Sequence, residues 1–427
     1  MPEAMARERR RVLMIAFHFP PLNGSSGIQR TLRFVQHLPS CGWDPIVLSA
    51  HPRAYPSTSQ DLMPEVPTTV PVERAFALDS SRHLAVGGRY PGLLARPDRW
   101  MSWWWGAVPA ALGLIRRHRV QAIWSTYPIA TAHRIGHTLQ RLTGLPWIAD
   151  FRDPMAQDGY PEDPATWRSF ADIERQVAAR AARLVFVTPS AQRMYRERFA
   201  QLPPERFALI ENGYDEESFT SAQSSGARQP ITPGRFTLLH SGIVYPSERD
   251  PTALMDALAA LRQARNPHVE RLTVRFRAPV HAELLRGLAD ARGVADLVDI
   301  QPAVPYARAL FEMLCADGLL VMQGANCNEQ VPAKLYEYLR AGQPILGLAD
   351  PAGDTARVML DAGVAHVAKL ESAPDVAAAL AAFLAEAPGA AAPPAVPDRV
   401  REMSRASRAR ALAAVLDDVV AAPVPAR

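Results

Sequence analysis

At 427 residues, 48% of them apolar and 21% charged, the chain has the balance of a soluble globular protein and exceeds what one hydrophobic core serves, so two domains of about 200 residues each are expected. No run approaches the ~20 uninterrupted apolar residues of a membrane span, and three scattered cysteines, Cys41, Cys315 and Cys327, are too few for a disulfide framework or a zinc site. A net charge of +4 favours anionic partners, yet no Lys/Arg run interleaved with aromatics marks a nucleic-acid groove, which leaves phosphorylated small molecules or an anionic membrane surface.

The charged residues 1–11 lead into a short apolar run, 12–17, that ends at Pro20-Pro21; this reads as a buried strand rather than a signal peptide, and a reducing cytoplasm is expected. Further β-branched apolar runs follow at 45–49, 122–125, 147–151, 184–188 and 207–210. Between them, 27–38, 106–117, 130–142, 167–182 and 190–199 carry helical spacing, so a parallel sheet flanked by helices is predicted. The Pro, Ser and Arg-rich stretch 50–98 reads as a long excursion with one strand at most. A polar stretch containing Gly, Ser and Pro, 220–230, then separates this half from a new strand at 236–240, and the alternation resumes with strands near 272–276, 298–301, 318–322, 344–347 and 364–367. An Ala/Pro-rich segment, 387–397, leads to a final amphipathic helix over 398–419. The expected organisation is an amino-terminal Rossmann-like domain (1–220), a linker (221–235), a second Rossmann-like domain (236–395) and a carboxy-terminal helix (396–427). Two such domains in series place a ligand in a central cleft at the carboxyl ends of their strands.

The most informative segment runs from Glu329 to Pro344, reading EQVPAKLYEYLRAGQP. Pro332 suits the first position of a helix and Gly342 its left-handed stop. The amino end of that helix offers unpaired N–H groups and a partial positive charge to an anion, and Lys334 adds a full charge in the first turn. Only Lys334 and Lys369 are lysines; every other basic residue is Arg. Glu337 follows on the same face, Leu335 and Leu339 can point inward, and Glu329 lies in the preceding loop. A phosphate clamp flanked by two carboxylates for sugar hydroxyls is therefore predicted. The Glu-x7-Glu spacing alone arises by chance. With Lys-Leu-Tyr-Glu-Tyr-Leu and Arg-Ala-Gly-Gln-Pro-Ile-Leu around it, the segment resembles the donor site of retaining GT-B glycosyltransferases of family 4, of the bacterial surface-polysaccharide type.

The resemblance runs from about Arg11 to about Val419. The segment from Phe19 to Arg30 is similar to the glycine-rich loop after the first strand, which singles out Gly24, Gly27 and Arg30. Residues 147–154, WIADFRDP, are similar to a segment of the polysaccharide enzymes, and Glu211-Asn212-Gly213-Tyr214-Asp215 resembles the turn that closes the first domain. His240-Ser241-Gly242, Tyr245 and Arg249-Asp250-Pro251 resemble the opening of the second domain, where the family grips the donor diphosphate. Members usually carry a basic residue directly after that glycine; Ile243 stands here, so the clamp rests on Arg249 and Lys334. Many members also place a His at the end of the strand 147–151, pointing at the donor sugar; this chain offers Asp150 and Arg152, either of which can face it.

The resemblance thus implies an α/β GT-B enzyme that transfers a sugar, with retention and without a metal or other cofactor, from a nucleotide diphosphate sugar such as a UDP or GDP sugar. The acceptor is a glycan, a lipid-linked molecule or a small molecule. Glu329, Asp150 and Arg152 are the catalytic candidates. Arg249, Lys334, Glu337, Gly242, Pro332, Ala333 and Leu335 form the donor site, and His18 and His133 stand as further candidates. Glu329 orients the sugar hydroxyls in this scheme and Glu337 the ribose. Alternatives are an inverting GT-B transferase, a nucleotide-sugar epimerase, or a non-catalytic nucleotide-sugar-binding partner. No Asp-x-Asp occurs, against the metal-dependent transferase class, and no Gly-x-Gly-x-x-Gly follows a strand, against a nicotinamide dehydrogenase. Arg152 held between Asp150 and Asp153 in a structural ion pair is the plainer account of that segment. Trp100, Trp103, Trp104 and Trp105 between arginines match an interfacial anchor at the inner face of the membrane, although an ordinary packed helix accounts for them more simply.

Overall fold

The computed structural model describes residues 9–25, 27–85, 87, 89, 90, 92–386 and 397–421, and the chain forms two compact units, Met1–Asn212 with Arg405–Arg427, and Gly213–Ser404. The first unit runs β1 (Arg10–Ile15), α1 (Gly27–His37), β2 (Trp43–Ala50), β3 (Val72–Ala75), α2 (Ser80–His83), α3 (Trp103–His118), β4 (Ala122–Thr126), α4 (Ala130–Thr143), β5 (Trp147–Arg152), α5 (Pro164–Arg180), β6 (Arg183–Phe186), α6 (Pro189–Arg198) and β7 (Phe207–Leu209). The second runs α7 (Glu216–Ser224), β8 (Phe236–Ser241), α8 (Thr252–Gln263), β9 (Leu272–Arg277), α9 (Ala282–Ala291), β10 (Val298–Gln301), α10 (Tyr306–Cys315), β11 (Gly318–Gln323), α11 (Ala333–Ala341), β12 (Ile345–Ala349), α12 (Asp354–Asp361), β13 (His366–Ala368), α13 (Ala373–Glu386) and α14 (Asp398–Arg401). The last helix, α15 (Arg405–Ala421), belongs to the first unit.

Both sheets are parallel, in the orders β3-β2-β1-β4-β5-β6-β7 and β10-β9-β8-β11-β12-β13. Central strands such as β11 and β12 are almost wholly apolar and buried because helices cover both faces. In β1, Val12 and Met14 pack with Leu412 and Leu416 of α15 on one face, while Leu13 and Ile15 enter the opposite core with Trp103, and none of the four strand residues is exposed. In β11, Leu320 and Met322 point to one core and Leu319 and Val321 to the other. Each such side chain contributes about 1.5–3 kcal/mol of burial. In both sheets the strand order reverses at one place, between β1 and β4 and between β8 and β11, which opens a crevice at the carboxyl ends of the strands.

Three expectations are corrected, and the tryptophans mostly follow the packed-helix account. The division falls at Asn212/Gly213 rather than in a linker at 221–235, because α7 packs against α10 and Arg340 of α11 holds Glu216. The helix expected over 398–419 is two helices, broken where the Tyr214 N–H donates to Met403 O. Pro332 is the amino-terminal cap of α11, with extended ψ of 131°, rather than its first turn. Of the four tryptophans, Trp103 is fully buried, Trp100 and Trp104 donate their ring N–H groups to Ala54 O and Thr138 Oγ1, and Trp105 alone is exposed, at 67%. Most of the segment 387–397 lies outside the described residues. No helix among the described residues is long and apolar enough to cross a membrane.

Candidate functional site

In the second unit the candidate donor residues gather at the β8/β11 reversal. β8 ends at Ser241, whose N–H donates to Tyr338 Oη at 2.7 Å, and Gly242 turns the chain with its own N–H donating to Arg277 O at 2.8 Å. Gly242 has φ +118°, and a Cβ there would stand 2.9 Å from Lys334 Nζ, so glycine is required both by the backbone and by the approach of the lysine. Lys334 lies in the first turn of α11, whose cap Pro332 supplies no side-chain acceptor. Its ammonium is 3.1 Å from His240 Nε2, while His240 Nδ1 is 3.0 Å from Leu320 O. The carbonyl can only accept, so the proton is assigned to Nδ1 and Nε2 accepts from Lys334. Burial, aided by the Lys334 charge, holds the His240 pKa well below its usual 6.5, and the ring is neutral.

Burial, and then the nearby charge of Arg249, pulls the Lys334 pKa from 10.5 down to about 7, with Glu337 opposing the shift. Arg249 is itself poorly engaged. It reaches Ile243 O at 3.4 Å and the Glu248 carboxylate at 3.8 Å, its guanidinium lies over the Tyr245 ring, and its buried Nε has no partner. The loops carrying these groups are tied together by the Gly324 N–H to Glu248 O at 2.6 Å and the Asn326 amide to Ser247 O at 2.8 Å. Glu337 accepts from the Tyr306 hydroxyl at 2.8 Å. Glu329 lies half-buried in the turn before α11, Ala333 is half-buried beside Lys334, and Leu335 is fully buried. Two cations that raise each other's energy, beside an uncapped helix start and a glycine turn, form a site electrostatically incomplete without an anion.

In the first unit Asp150 and Arg152 have different fates. Asp150 is fully buried and grips Arg30 in a two-pronged pair, with Nε to Oδ2 at 2.8 Å and Nη2 to Oδ1 at 2.9 Å, and Thr126 also donates to it at 3.1 Å. Arg30 gives its remaining donors to Ile210 O and Glu211 O. Arg30, singled out with the glycine-rich loop, is thus engaged inside the fold, and Asp150 is the carboxylate it neutralises. Arg152 is not held between Asp150 and Asp153. The ladder between β5 and β6 shifts register between Asp150 and Arg152, Arg152 adopts φ +60°, a conformation costing about 1–3 kcal/mol for a non-glycine residue, and no hydrogen bond or ion pair to its guanidinium is found among the described residues.

The Arg152 guanidinium crosses the start of α1, where a Cβ on Gly27 would collide with its Nη1 and stand 2.8 Å from His18 Nδ1. His18 Nδ1 is 2.7 Å from Ser25 Oγ, which accepts from the Gly27 N–H at 3.2 Å. Burial, then the Arg152 charge, lowers the His18 pKa to about 3, so this ring is neutral as well. Gly24, with φ +80° and open space around it, shapes the turn. His133 is a core residue: fully buried, with Nδ1 2.8 Å from Ser125 Oγ, it packs against Phe151, and burial lowers its pKa to about 4.

The structure brings Gly242, Arg249, Lys334 and Glu337 together, gathers Gly27, His18 and Arg152 in the first unit, and removes His133, Arg30 and Asp150 to the interior. The sequence places His240 in the opening of the second domain and Tyr338 in the donor motif without giving either side chain a role, and Tyr306 enters neither. His240 carried the available signal, as a polar residue in an apolar strand two positions before the turn glycine. Among the described residues no group of three or more His, Cys, Asp or Glu side chains could hold a metal.

Residues 26–213 match the Glycosyl transferase 4-like domain. No curated protein sequence matches the chain. Among solved structures, α,α-trehalose 6-phosphate synthase from Burkholderia multivorans is similar with a TM-score of 0.69 at 13% identity, covering 97% of each chain. Sucrose-phosphate synthase from Thermosynechococcus elongatus gives 0.62 at 13% identity over 96% of each chain. Anabaena HepE in complex with UDP-glucose gives 0.56 at 16% identity, again over 96% of each. At these identities the likeness is one of fold. Residues 26–213 thus carry the match to a glycosyltransferase domain, and the chain, α/β with two doubly wound parallel sheets, has the GT-B fold of these structures.

Proposed function

We propose that the enzyme transfers a hexose-type sugar from a nucleotide diphosphate sugar, with retention of configuration and without a metal, to a glycan, lipid-linked or small-molecule acceptor. The observation that carries this reading is the pair of under-satisfied cations, Lys334 and Arg249, converging beside Gly242 and the uncapped start of α11. A leaving nucleoside diphosphate accumulates negative charge as the sugar becomes oxocarbenium-like, and these donors stabilise that charge without reorganising. Each charge-assisted contact contributes about 1.5–3 kcal/mol. Glu337, steadied by Tyr306, accepts from the ribose, and Glu329 from the sugar hydroxyls. The complex of HepE with UDP-glucose supports a UDP sugar as the first donor to test. A cytoplasmic location suits a nucleotide-sugar enzyme, and contact with the inner membrane face would run through Trp105 and the arginines of α3.

Thermal-shift screening with UDP, GDP, TDP and ADP sugars tests the donor, since a ligand that binds only the folded state raises its melting temperature. NMR of the product then reads the anomeric configuration. Stabilisation by none of the four, or stabilisation undiminished in Lys334→Met, sinks the reading of the site; an inverted product sinks retention.

A further inference from the structure

His240 is a polar side chain held rigidly inside an apolar sheet. The ring is fully buried near the end of β8, Phe276 of β9 lies against it with ring centroids 6.0 Å apart, and its Nδ1 stands 3.0 Å from Leu320 O of the neighbouring β11. That carbonyl takes the Nδ1 proton, which leaves Nε2 as an acceptor 3.1 Å from Lys334 Nζ. The other carbonyl near the ring, Ile243 O, receives Arg249 Nη1 at 3.4 Å. Burying such a ring is costly unless both nitrogens are engaged, and here Lys334 engages the second. Among the described residues the ring is also the one hydrogen-bond partner of the Lys334 ammonium, which has three N–H donors and so keeps two for a ligand. Nζ lies against the Gly242 turn, where a Cβ would stand 2.9 Å from it. A carboxylate in place of the ring would hold the ammonium but cancel its charge, as in any buried ion pair. A neutral acceptor fixes the cation and leaves its charge free to act on an anion.

We propose that His240 is a positioning residue for the donor: it touches no substrate itself, but holds the Lys334 ammonium by one N–H so that the other two meet the diphosphate beside Gly242. This rests on the reading of Lys334 as a donor-site cation. Donors already in place need not reorganise as the leaving group gains charge, so loss of the ring weakens the hold on a nucleotide diphosphate through Lys334 alone.

The test is a double-mutant cycle read by calorimetric titration of UDP into the full-length protein. His240→Phe fills the space without an acceptor, His240→Asn can still donate to Leu320 O but falls short of Lys334, and His240→Gln can reach it. UDP affinity is expected to fall ~10-fold in His240→Phe and His240→Asn and to be largely kept in His240→Gln. In a Lys334→Met background the same substitutions are expected to change it by less than about twofold. Equal losses in both backgrounds overturn the proposal, since packing damage does not depend on Lys334. His240→Asn reads the effect even where His240→Phe unfolds. A second readout needs no ligand. Lys334 and Lys369 are the only lysines, so NMR of lysine-labelled protein, assigned with Lys369→Arg, follows the Lys334 titration directly. Its midpoint, about 7 in wild type, is expected to fall in His240→Phe and His240→Asn, because the buried charged form loses its acceptor. A midpoint unchanged or raised overturns the proposal. Absence of UDP binding by wild type sinks the donor reading alone, and the midpoint still decides whether the ring holds Lys334.

Discussion

Replacing Lys334 by Met should weaken nucleotide diphosphate binding and yet stabilise the empty protein at neutral pH. The lost charge-assisted contact is worth about 1.5–3 kcal/mol, a fall in affinity of ~10–150-fold. The opposite sign on stability follows from burial. Folded Lys334 titrates near 7 and its unfolded counterpart near 10.5, so between these values the unfolded chain binds the extra proton. Stability from this group therefore rises with pH across that window and is lowest at and below pH 7. Methionine keeps the stem and removes the charge, which should relieve the Arg249 repulsion by on the order of 1–3 kcal/mol and flatten the pH dependence. Calorimetric titration with UDP and thermal melts at pH 6.5 and 9 read both effects. Unchanged UDP affinity, or a variant less stable than wild type at pH 6.5, would refute the electrostatic account of the site.

Other outcomes follow from the same geometry. UDP binding above pH 7 should take up a proton, because the diphosphate raises the Lys334 pKa again; the affinity of wild type should fall as pH climbs from about 7 while that of Lys334→Met does not, as titrations in buffers of different ionisation enthalpy will show. Gly242→Ala should abolish UDP binding and destabilise the fold by about 1–3 kcal/mol, since its Cβ would press on Lys334 from a left-handed backbone. Asp150→Asn should destabilise by about 3–5 kcal/mol in urea, having left Arg30 buried and uncompensated. His133→Gln should lower the urea midpoint and leave UDP affinity within about twofold, as befits a core residue whose loss leaves a hydroxyl poorly paired.

The central strands were legible because a parallel sheet covered on both faces demands continuous apolar runs, which is why the run 318–322 falls within β11 and 236–240 nearly coincides with β8. β3 was only loosely anticipated: Val72-Glu73-Arg74-Ala75 is a short edge strand whose alternation is masked by the Pro-rich stretch around it. The break before α15 could not be read locally, since it is enforced by Tyr214, far away in sequence. In the site, Lys334 was conspicuous through the rarity of lysine and the start of its helix. The division of labour between Asp150 and Arg152 was not, because it depends on Arg30, 120 residues earlier, closing on Asp150 and so keeping that carboxylate from an ion pair with Arg152.

The most direct test of the central claim is a crystal structure of the protein with UDP and the donor sugar that stabilises it best. The account predicts diphosphate oxygens within hydrogen-bonding distance of Lys334 Nζ and the Arg249 guanidinium, with the ribose on Glu337. A diphosphate bound away from Gly242 and the start of α11, or held while Lys334 remains on His240 alone, would contradict it.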